Sequence, residues 1–382
     1  MKVILVSRLP RDTNAPRGGV ESVTLALTRA LCELDDLEVH VVALDPASRT
    51  LSRTQLGRAT VHRLAGSRVP QMLDVLGGPG RARLHRYLLG LRPDIVHFHE
   101  TYGYGGPSLG LPMVFTIHGF DHANIPAERR RAGWLRAPLW KAVEAWGLRR
   151  QRHVIAITPY VREHLDGRTT ATIHDIENPL DPAYFEIPRN TVPGRVLFAG
   201  WITPRKNPLA LVNAIGLVRD GGVQATLHLA GEPSDAAYAE TVRAAISRLG
   251  LADRVELLGR VSPERIRSEL SAAAAFVLPS LQENAPMAIS EALAAGVPVI
   301  ASNLCGMPHM IVEGRTGYLV DPQDVRGIAD RLVRLLMEDR LQREMGEAAH
   351  AYALERFHPK AVAAKTRAVY EQVIREHQLA RA

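Results

Sequence analysis

Residues Phe276 to Ser302 read FVLPSLQENAPMAISEALAAGVPVIAS and set two carboxylates, Glu283 and Glu291, eight residues apart. An apolar run ends at Pro279-Ser280, a short loop carries Glu283, and helical sequence from about Pro286 stops at Gly296, before the next apolar run. The first backbone N–H groups of such a helix, around Met287 and Ala288, lack partners within it and suit a phosphate. Eight residues make about two helical turns. One glutamate can therefore sit in the loop beside a sugar while the other reaches a ribose, although two solvated helix-end carboxylates would show the same spacing. A second constellation, FAGWITPRKNPLALVNAI from Phe198, puts Arg205 and Lys206 just before a helix starting at Pro208. Cleaving a sugar–phosphate bond leaves extra negative charge on the diphosphate. Cations placed in advance stabilise that transition state more than the ground state.

The first half offers weaker signals of the same kind. In NAPRGGVES, Gly18 and Gly19 would let a loop approach a diphosphate without Cβ obstruction, with a helix N-terminus behind them and Glu21 in its first turn. Three histidines lie at strand-like ends: His97 and His99 in DIVHFHETY, and His118 in VFTIHGFD. His97 and His99 read as hydrogen-bonded structural residues; alternate residues share a strand face, and no third ligand lies near in sequence, so metal binding is not expected. The chain contains no Asp-x-Asp, no phosphate loop of the GxxxxGK type and no Gly-x-Gly-x-x-Gly after the first strand, and its one Gly-x-Ser-x-Gly, GPSLG at 106–110, precedes a strand-like run instead of the helix that a nucleophile elbow opens. Hydrolase, NTPase and ordinary dehydrogenase chemistry lose their main support.

These residues need a scaffold that brings strand ends together. Val3–Val6, Val39–Leu44, Asp94–Phe98, Met113–Ile117 and Val154–Ile157 are short apolar runs separated by helical sequence. Thr158-Pro159 is a capping residue followed by proline at a first helical position. From Ile176 to Pro193 the pattern lapses into a proline-rich hinge, then restarts at Arg195–Ala199, Ala225–Ala230, Val255–Leu258, Ala275–Leu278 and Pro298–Ala301. Strands alternating with helices predict two α/β units with parallel sheets, whose ligands bind beyond the carboxyl ends of the strands.

The Glu283 segment resembles the donor-site signature of the retaining family 4 glycosyltransferases, with its flanking Pro-Ser, EALAAGVPVIAS and the later GRTGYLV. The resemblance implies a GT-B fold, two Rossmann-like parallel-sheet domains facing across a cleft. It also implies that Glu283 binds hydroxyls of the donor sugar and Glu291 the ribose, with Asn284, Ala285, Met287 and Ala288 beside them. Lys206 matches the family's diphosphate-binding lysine. Trp201 stands where the family has an arginine, and Arg205 is the candidate to replace it. Gly18 and Gly19 match the loop after the first strand, and His118 matches a Thr-x-His segment that reaches the donor sugar. VIAITPYVREHL resembles the end of the family's first domain, and ENPLDPAYF its interdomain turn.

Domains are thus expected at 1–178 (acceptor side), 179–194 (hinge) and 195–358 (nucleotide sugar), with a helix at 359–382 crossing back to the first domain. The expected activity is transfer of a hexose, with retention, from a UDP- or GDP-sugar to a hydroxyl of a glycan, lipid-linked or small-molecule acceptor. No cofactor and no metal are expected, since Lys206, Arg205 and helix N-termini would neutralise the diphosphate. A nucleotide-sugar 2-epimerase of the same fold and a non-catalytic sugar-nucleotide-binding subunit are the rival readings.

Bulk properties agree with a globular protein: 382 residues, 46% hydrophobic and 23% charged. The start reads as a strand rather than a leader, and Cys32 and Cys305 are too far apart for a metal motif, so both read as core thiols in a cytoplasmic protein. The formal charge of +7 is concentrated between Glu128 and Arg152, where eight basic side chains, Arg129, Arg130 and Arg131 among them, meet two acidic ones. That stretch holds Trp134, Trp140 and Trp146. With Leu139, Val143 and Trp146 packed inward, it is a candidate for peripheral contact with anionic membrane. An ordinary helix with a solvated cationic face fits equally well. Nucleic acid is not expected, because aromatic residues total only 5% and no recognition motif accompanies the charge.

Overall fold

The computed structural model describes the chain except for residues 46–47, 68, 70, 100–103, 129–132 and 382. In chain order the elements are β1 (Lys2–Val6), α1 (Gly19–Cys32), β2 (Glu38–Asp45), β3 (Ser52–Leu56), β4 (Ala59–Ala65), α2 (Gln71–Val75), α3 (Pro79–Leu91), β5 (Ile95–His99), β6 (Met113–Ile117), α4 (Asp121–Ala127), α5 (Gly133–Leu148), β7 (His153–Ala156), α6 (Pro159–Leu165) and β8 (Thr172–Asp175). They continue as β9 (Arg195–Ala199), α7 (Pro208–Asp220), β10 (Thr226–Ala230), α8 (Ala236–Arg248), β11 (Val255–Gly259), α9 (Pro263–Ala272), β12 (Ala275–Leu278), α10 (Met287–Ala294), β13 (Val299–Ser302), β14 (Gly317–Val320), α11 (Val325–Met337), α12 (Asp339–Phe357) and α13 (Pro359–Leu379). Two compact units result. One comprises Met1–His122, Ala132–Asp181 and His358–Ala382, the other Ala123–Arg131 and Pro182–Phe357.

The first unit is built on a sheet of order β3-β4-β2-β1-β5-β6-β7-β8. All neighbours pair in parallel except β3 and β4, an antiparallel hairpin closed by two residues with Gly57 at φ +57°. The hairpin and β8 lie outside the sequence expectation. The first four residues of β3 are exposed, and β8 is TIHD, so neither carries the apolar run that marks a buried parallel strand. Val3, Leu5, Val39, Val41 and Ile95 meet Leu27 and Leu31 of α1 in the core. Val362, Tyr370 and Val373 of α13 close the same core, so residues 358–382 are part of this unit. Fully burying one such aliphatic side chain is worth about 1.5–3 kcal/mol.

The second sheet has the order β11-β10-β9-β12-β13-β14, all parallel. Counted within the unit this is 3-2-1-4-5-6, the order of dinucleotide-binding domains, with its reversal between β9 and β12. In the first sheet the equivalent reversal lies between β1 and β5. No helix among the described residues is long and apolar enough to cross a membrane.

The basic segment departs from expectation at one residue. Val143 is buried, but Leu139 is 53% exposed, beside Trp134 at 77% and Leu135 at 57%. Trp146 is covered by the guanidinium groups of Arg150 and Arg81, 4.6 and 5.7 Å from its ring centre. Arg129, Arg130 and Arg131 lie outside the described residues. The cysteines also differ from simple core thiols. Cys32 is only partly buried, and Cys305 sits in a left-handed turn at φ +56°.

Candidate donor and acceptor sites

In the second unit the strand order reverses between β9 and β12, where open parallel sheets bind ligands, and the loops beyond the carboxyl ends of these strands carry the charged residues. After β9 the chain turns at Gly200, φ +154°, where an added Cβ would lie 3.4 Å from Lys206 Cε. Glycine thus lets the lysine stem run along its own turn. Lys206 N donates to Thr203 Oγ1 at 3.2 Å, and Asn207, at φ +55°, starts α7. After β12, Glu283 faces this turn: Arg205 Nη1 donates to Glu283 Oε1 at 2.5 Å and Lys206 Nζ to the same oxygen at 2.6 Å. Glu283 Oε2 makes no hydrogen bond among the described residues.

The loops are stitched together by backbone. Leu281 N donates to Arg205 O at 2.7 Å, Arg205 Nη1 to Gln282 O at 2.9 Å and Gly306 N to Glu283 O at 2.9 Å. Gly306 must be glycine for this approach, since a Cβ there would fall 1.6 Å from Asn284 O. Cys305 Sγ donates to Gln282 Oε1 at 2.7 Å. Gln282, Cys305 and Gly306 were not foreseen; a lone Cys-Gly after a strand carries no motif, and their role comes from a close approach between loops.

The side chains of Arg205, Lys206 and Glu283 are only 17%, 11% and 11% exposed. Burial pushes Lys206 below the usual lysine range, against the opposing pull of Glu283. Burial would raise Glu283, but Lys206 and Arg205 outweigh it and hold the carboxyl below its ordinary value. Removing such charges from water costs several kcal/mol per ion, so a buried acid–base trio is weakly motivated by stability and well motivated by function. Two further polar atoms here, Ser280 Oγ and Asn284 Nδ2, are buried without a hydrogen-bond partner. Met287 and Ala288 open α10, whose N-terminus no side chain caps. Glu291 lies one turn on, near enough for its charge to act on Lys206. Ala285 is partly buried in the loop between, and Trp201 is 40% exposed beside Gly200.

In the first unit the strand ends carry imidazoles. His97 Nδ1 bonds Tyr370 Oη at 2.7 Å and its Nε2 bonds Thr116 Oγ1 at 2.6 Å. His99 Nδ1 meets His118 Nε2 at 2.9 Å, and the His97 and His99 rings are 4.1 Å apart. Burial lowers His97 to about 3, His118 to about 4, and His99 well below the histidine range. All three are neutral at pH 7, so His118 offers a hydrogen-bonding imidazole and no positive charge. Gly18 and Gly19 are exposed, and nothing lies within 4 Å of a Cβ added at Gly18. Glu21 Oε2 accepts from Arg17 N at 2.6 Å at the start of α1. Thr158 precedes α6 as expected, but its side chain makes no cap, and Oγ1 is buried without a partner.

Two parallel-sheet α/β units, the second with dinucleotide-domain strand order, define the GT-B class of architecture. Two family models meet at residue 184: Glycosyltransferase Family 4 matches residues 17–184, and Glycosyl transferases group 1 matches residues 184–352. The chain belongs to the group 1, family 4 glycosyltransferases and is an enzyme of the hexosyltransferase class.

Among curated relatives, the glycogen synthase of Mycobacterium tuberculosis is 29% identical over 73% of this chain and 69% of its own. The D-inositol 3-phosphate glycosyltransferase of Corynebacterium diphtheriae is 27% identical over 96% of this chain and 92% of its own. Among solved structures, the sucrose-phosphate synthase of Thermosynechococcus elongatus aligns with a TM-score of 0.80 at 21% identity, covering 98% of this chain and 99% of that one. Anabaena HepE, solved with UDP-glucose, aligns with a TM-score of 0.70 at 17% identity, covering 97% of this chain and 100% of that one.

Proposed function

We propose that this enzyme moves a hexose, with retention of configuration, from a UDP- or GDP-sugar to a hydroxyl of a glycan, lipid-linked or small-molecule acceptor. The observation that carries the donor half is the convergence of Glu283, Arg205 and Lys206 at the strand-order reversal of the second sheet. Lys206, Arg205 and the N-terminus of α10 around Met287 and Ala288 receive the diphosphate, and their fixed charge favours the departing anion without a metal. Glu283, with Oε2 open, holds sugar hydroxyls; Asn284 and Ala285 border them, and Glu291 takes the ribose. Arg205 supplies the guanidinium that Trp201 does not. Gly18, Gly19 and His118 serve from the first unit, His118 as a neutral hydrogen-bonding group.

The UDP-glucose complex of HepE supports a uridine donor, and the names of the glycogen synthase and inositol phosphate relatives support hydroxyl acceptors. The departing phosphate would help to deprotonate the acceptor. We place the enzyme on the cytoplasmic side of a membrane, touching anionic lipid through residues 128–152, where α5 exposes Trp134, Leu135 and Leu139 beside Arg136 and Lys141.

The deciding experiment is a thermal-shift screen with UDP, GDP, UDP-glucose and GDP-mannose, followed by assay of nucleotide release. Saturation at a hundred times Kd adds about 2.7 kcal/mol of stability and a clear rise in Tm. If none of the four raises Tm, the donor reading is wrong.

A further inference from the structure

Four residues beyond His118 the chain carries another imidazole, His122, in the first turn of α4. It is held by Glu144 of α5. Glu144 Oε2 makes a very short hydrogen bond with His122 Nδ1, and Glu144 Oε1 accepts the His122 backbone N–H at 3.2 Å. Burial raises the Glu144 carboxyl above its ordinary value, against the opposing pull of its two hydrogen bonds from His122. An ionised Glu144 only accepts, so in the neutral ring Nδ1 carries the hydrogen and Nε2 is the acceptor. Among the described residues Nε2 makes no hydrogen bond, and the His122 side chain is 18% exposed while that of Glu144 is 3% exposed. A buried carboxylate that fixes the tautomer and angle of one ring is costly for a mere anchor. It is the usual device for presenting a basic nitrogen.

A second observation lies on the adjoining strand. β6 and β7 pair in parallel, with Ile117 opposite Ala156. His122 follows the end of β6, and Thr158, two residues past the end of β7, is 7% exposed with its Oγ1 unpartnered. Phe120 packs edge-on to His122 at 5.9 Å and stacks on His164 at 5.0 Å, which keeps the imidazole in place. An unbonded nitrogen acceptor and an unbonded hydroxyl thus stand beyond the carboxyl ends of neighbouring strands, where ligands bind in open parallel sheets.

We propose that His122 is an acceptor-binding residue of the first unit. Its Nε2, oriented by Glu144, accepts a hydrogen bond from a hydroxyl of an uncharged polyol or sugar, and Thr158 Oγ1 engages a second hydroxyl of the same ring. The inference deepens the transferase reading and rests on it for the identity of the ligand as acceptor.

The test uses the full chain labelled with 15N-histidine, with myo-inositol and maltotriose as probes. The ring nitrogens of His122, assigned by their loss in His122→Gln, should report the Nδ1–H tautomer, and at least one probe should move Nε2 while leaving His97 unmoved. Glu144→Gln should weaken that probe at least tenfold. Should that variant fold poorly, Thr158→Val should weaken the probe on its own. The proposal is overturned if His122 carries its hydrogen on Nε2, if neither probe moves the resonance, or if a folded variant binds as the parent does. The UDP-induced rise in Tm is measured on the same samples. Its absence counts against the donor reading alone, because the histidine response is scored separately.

Discussion

Beyond the second sheet, two cations and a carboxylate are driven together with little water around them. Beyond the first, a row of imidazoles is just as enclosed yet carries no charge. The difference follows from what each side chain does when desolvated. Arginine and lysine keep their protons and must find counter-charge, whereas histidine simply releases its own. A unit that must bind a diphosphate needs the first solution. A unit that must recognise hydroxyls is better served by the second, because neutral donors and acceptors discriminate ring geometry without attracting every anion in solution.

Glu283→Gln breaks the charged side of this contrast most severely. The amide keeps the volume but leaves Lys206 and Arg205 buried without their counter-charge. Nucleotide release from the donor should drop by about a hundredfold or more, in line with the loss of one preorganised electrostatic contact. Urea unfolding should show a loss of about 3–5 kcal/mol, as for other broken buried pairs. Turnover within twofold of the parent would remove Glu283 from the chemistry.

Mild acid should separate the units. With His97 near 3 and His118 near 4 in the fold, against about 6.5 in the unfolded chain, only the unfolded chain takes up protons as pH drops below 6.5. The first unit therefore loses stability progressively from about pH 6.5 and keeps losing it until these folded values are passed. Glu283 works at lower pH. Its folded value is depressed, so its contribution is complete above about 4.3 and is lost only as pH falls through the folded value. Hydrogen exchange at pH 7 and pH 5 should show faster opening of β5 and β6 at pH 5, with β9 and β12 little changed. Equal acceleration in both sheets would contradict the assignment.

The smallest effect concerns where the first unit does keep charge, on the outer surface of α5. Trp134→Ala combined with Arg136→Gln should weaken sedimentation with phosphatidylserine vesicles about fivefold at low salt, given about 1 kcal/mol per basic residue near an anionic surface. If the parent protein does not sediment with such vesicles, the membrane contact is refuted.

The Arg205, Lys206 and Glu283 cluster was legible in the sequence because its members lie on strand-to-helix turns, those after β9 and β12. Strand ends at Ala199 and Leu278 and helix starts at Pro208 and Met287 are local signals, and strand order converts them into one place. The imidazole network was not legible. His97 and Tyr370 are 273 positions apart, and nothing near either residue announces the other. His122 and Glu144 are separated by a basic segment whose charge drew attention to its surface rather than to its buried acid. The polar β3 and β8 escaped because they sit at sheet edges, where the apolar run is not required. Leu139 was placed inward by spacing alone and lies outward in the structure.

The chain leaves the first unit at Asp181 and returns to it only at His358. On the ribosome, the earlier half therefore waits with an unsealed apolar flank while the whole of Pro182–Phe357 is made and can already mature. Tyr370 then arrives as the plug. Such an order reverses the usual amino-terminal-first sequence of domain maturation. A chain cut short after Phe357 would thus fail in its oldest part, and a chaperone would find its client surface there.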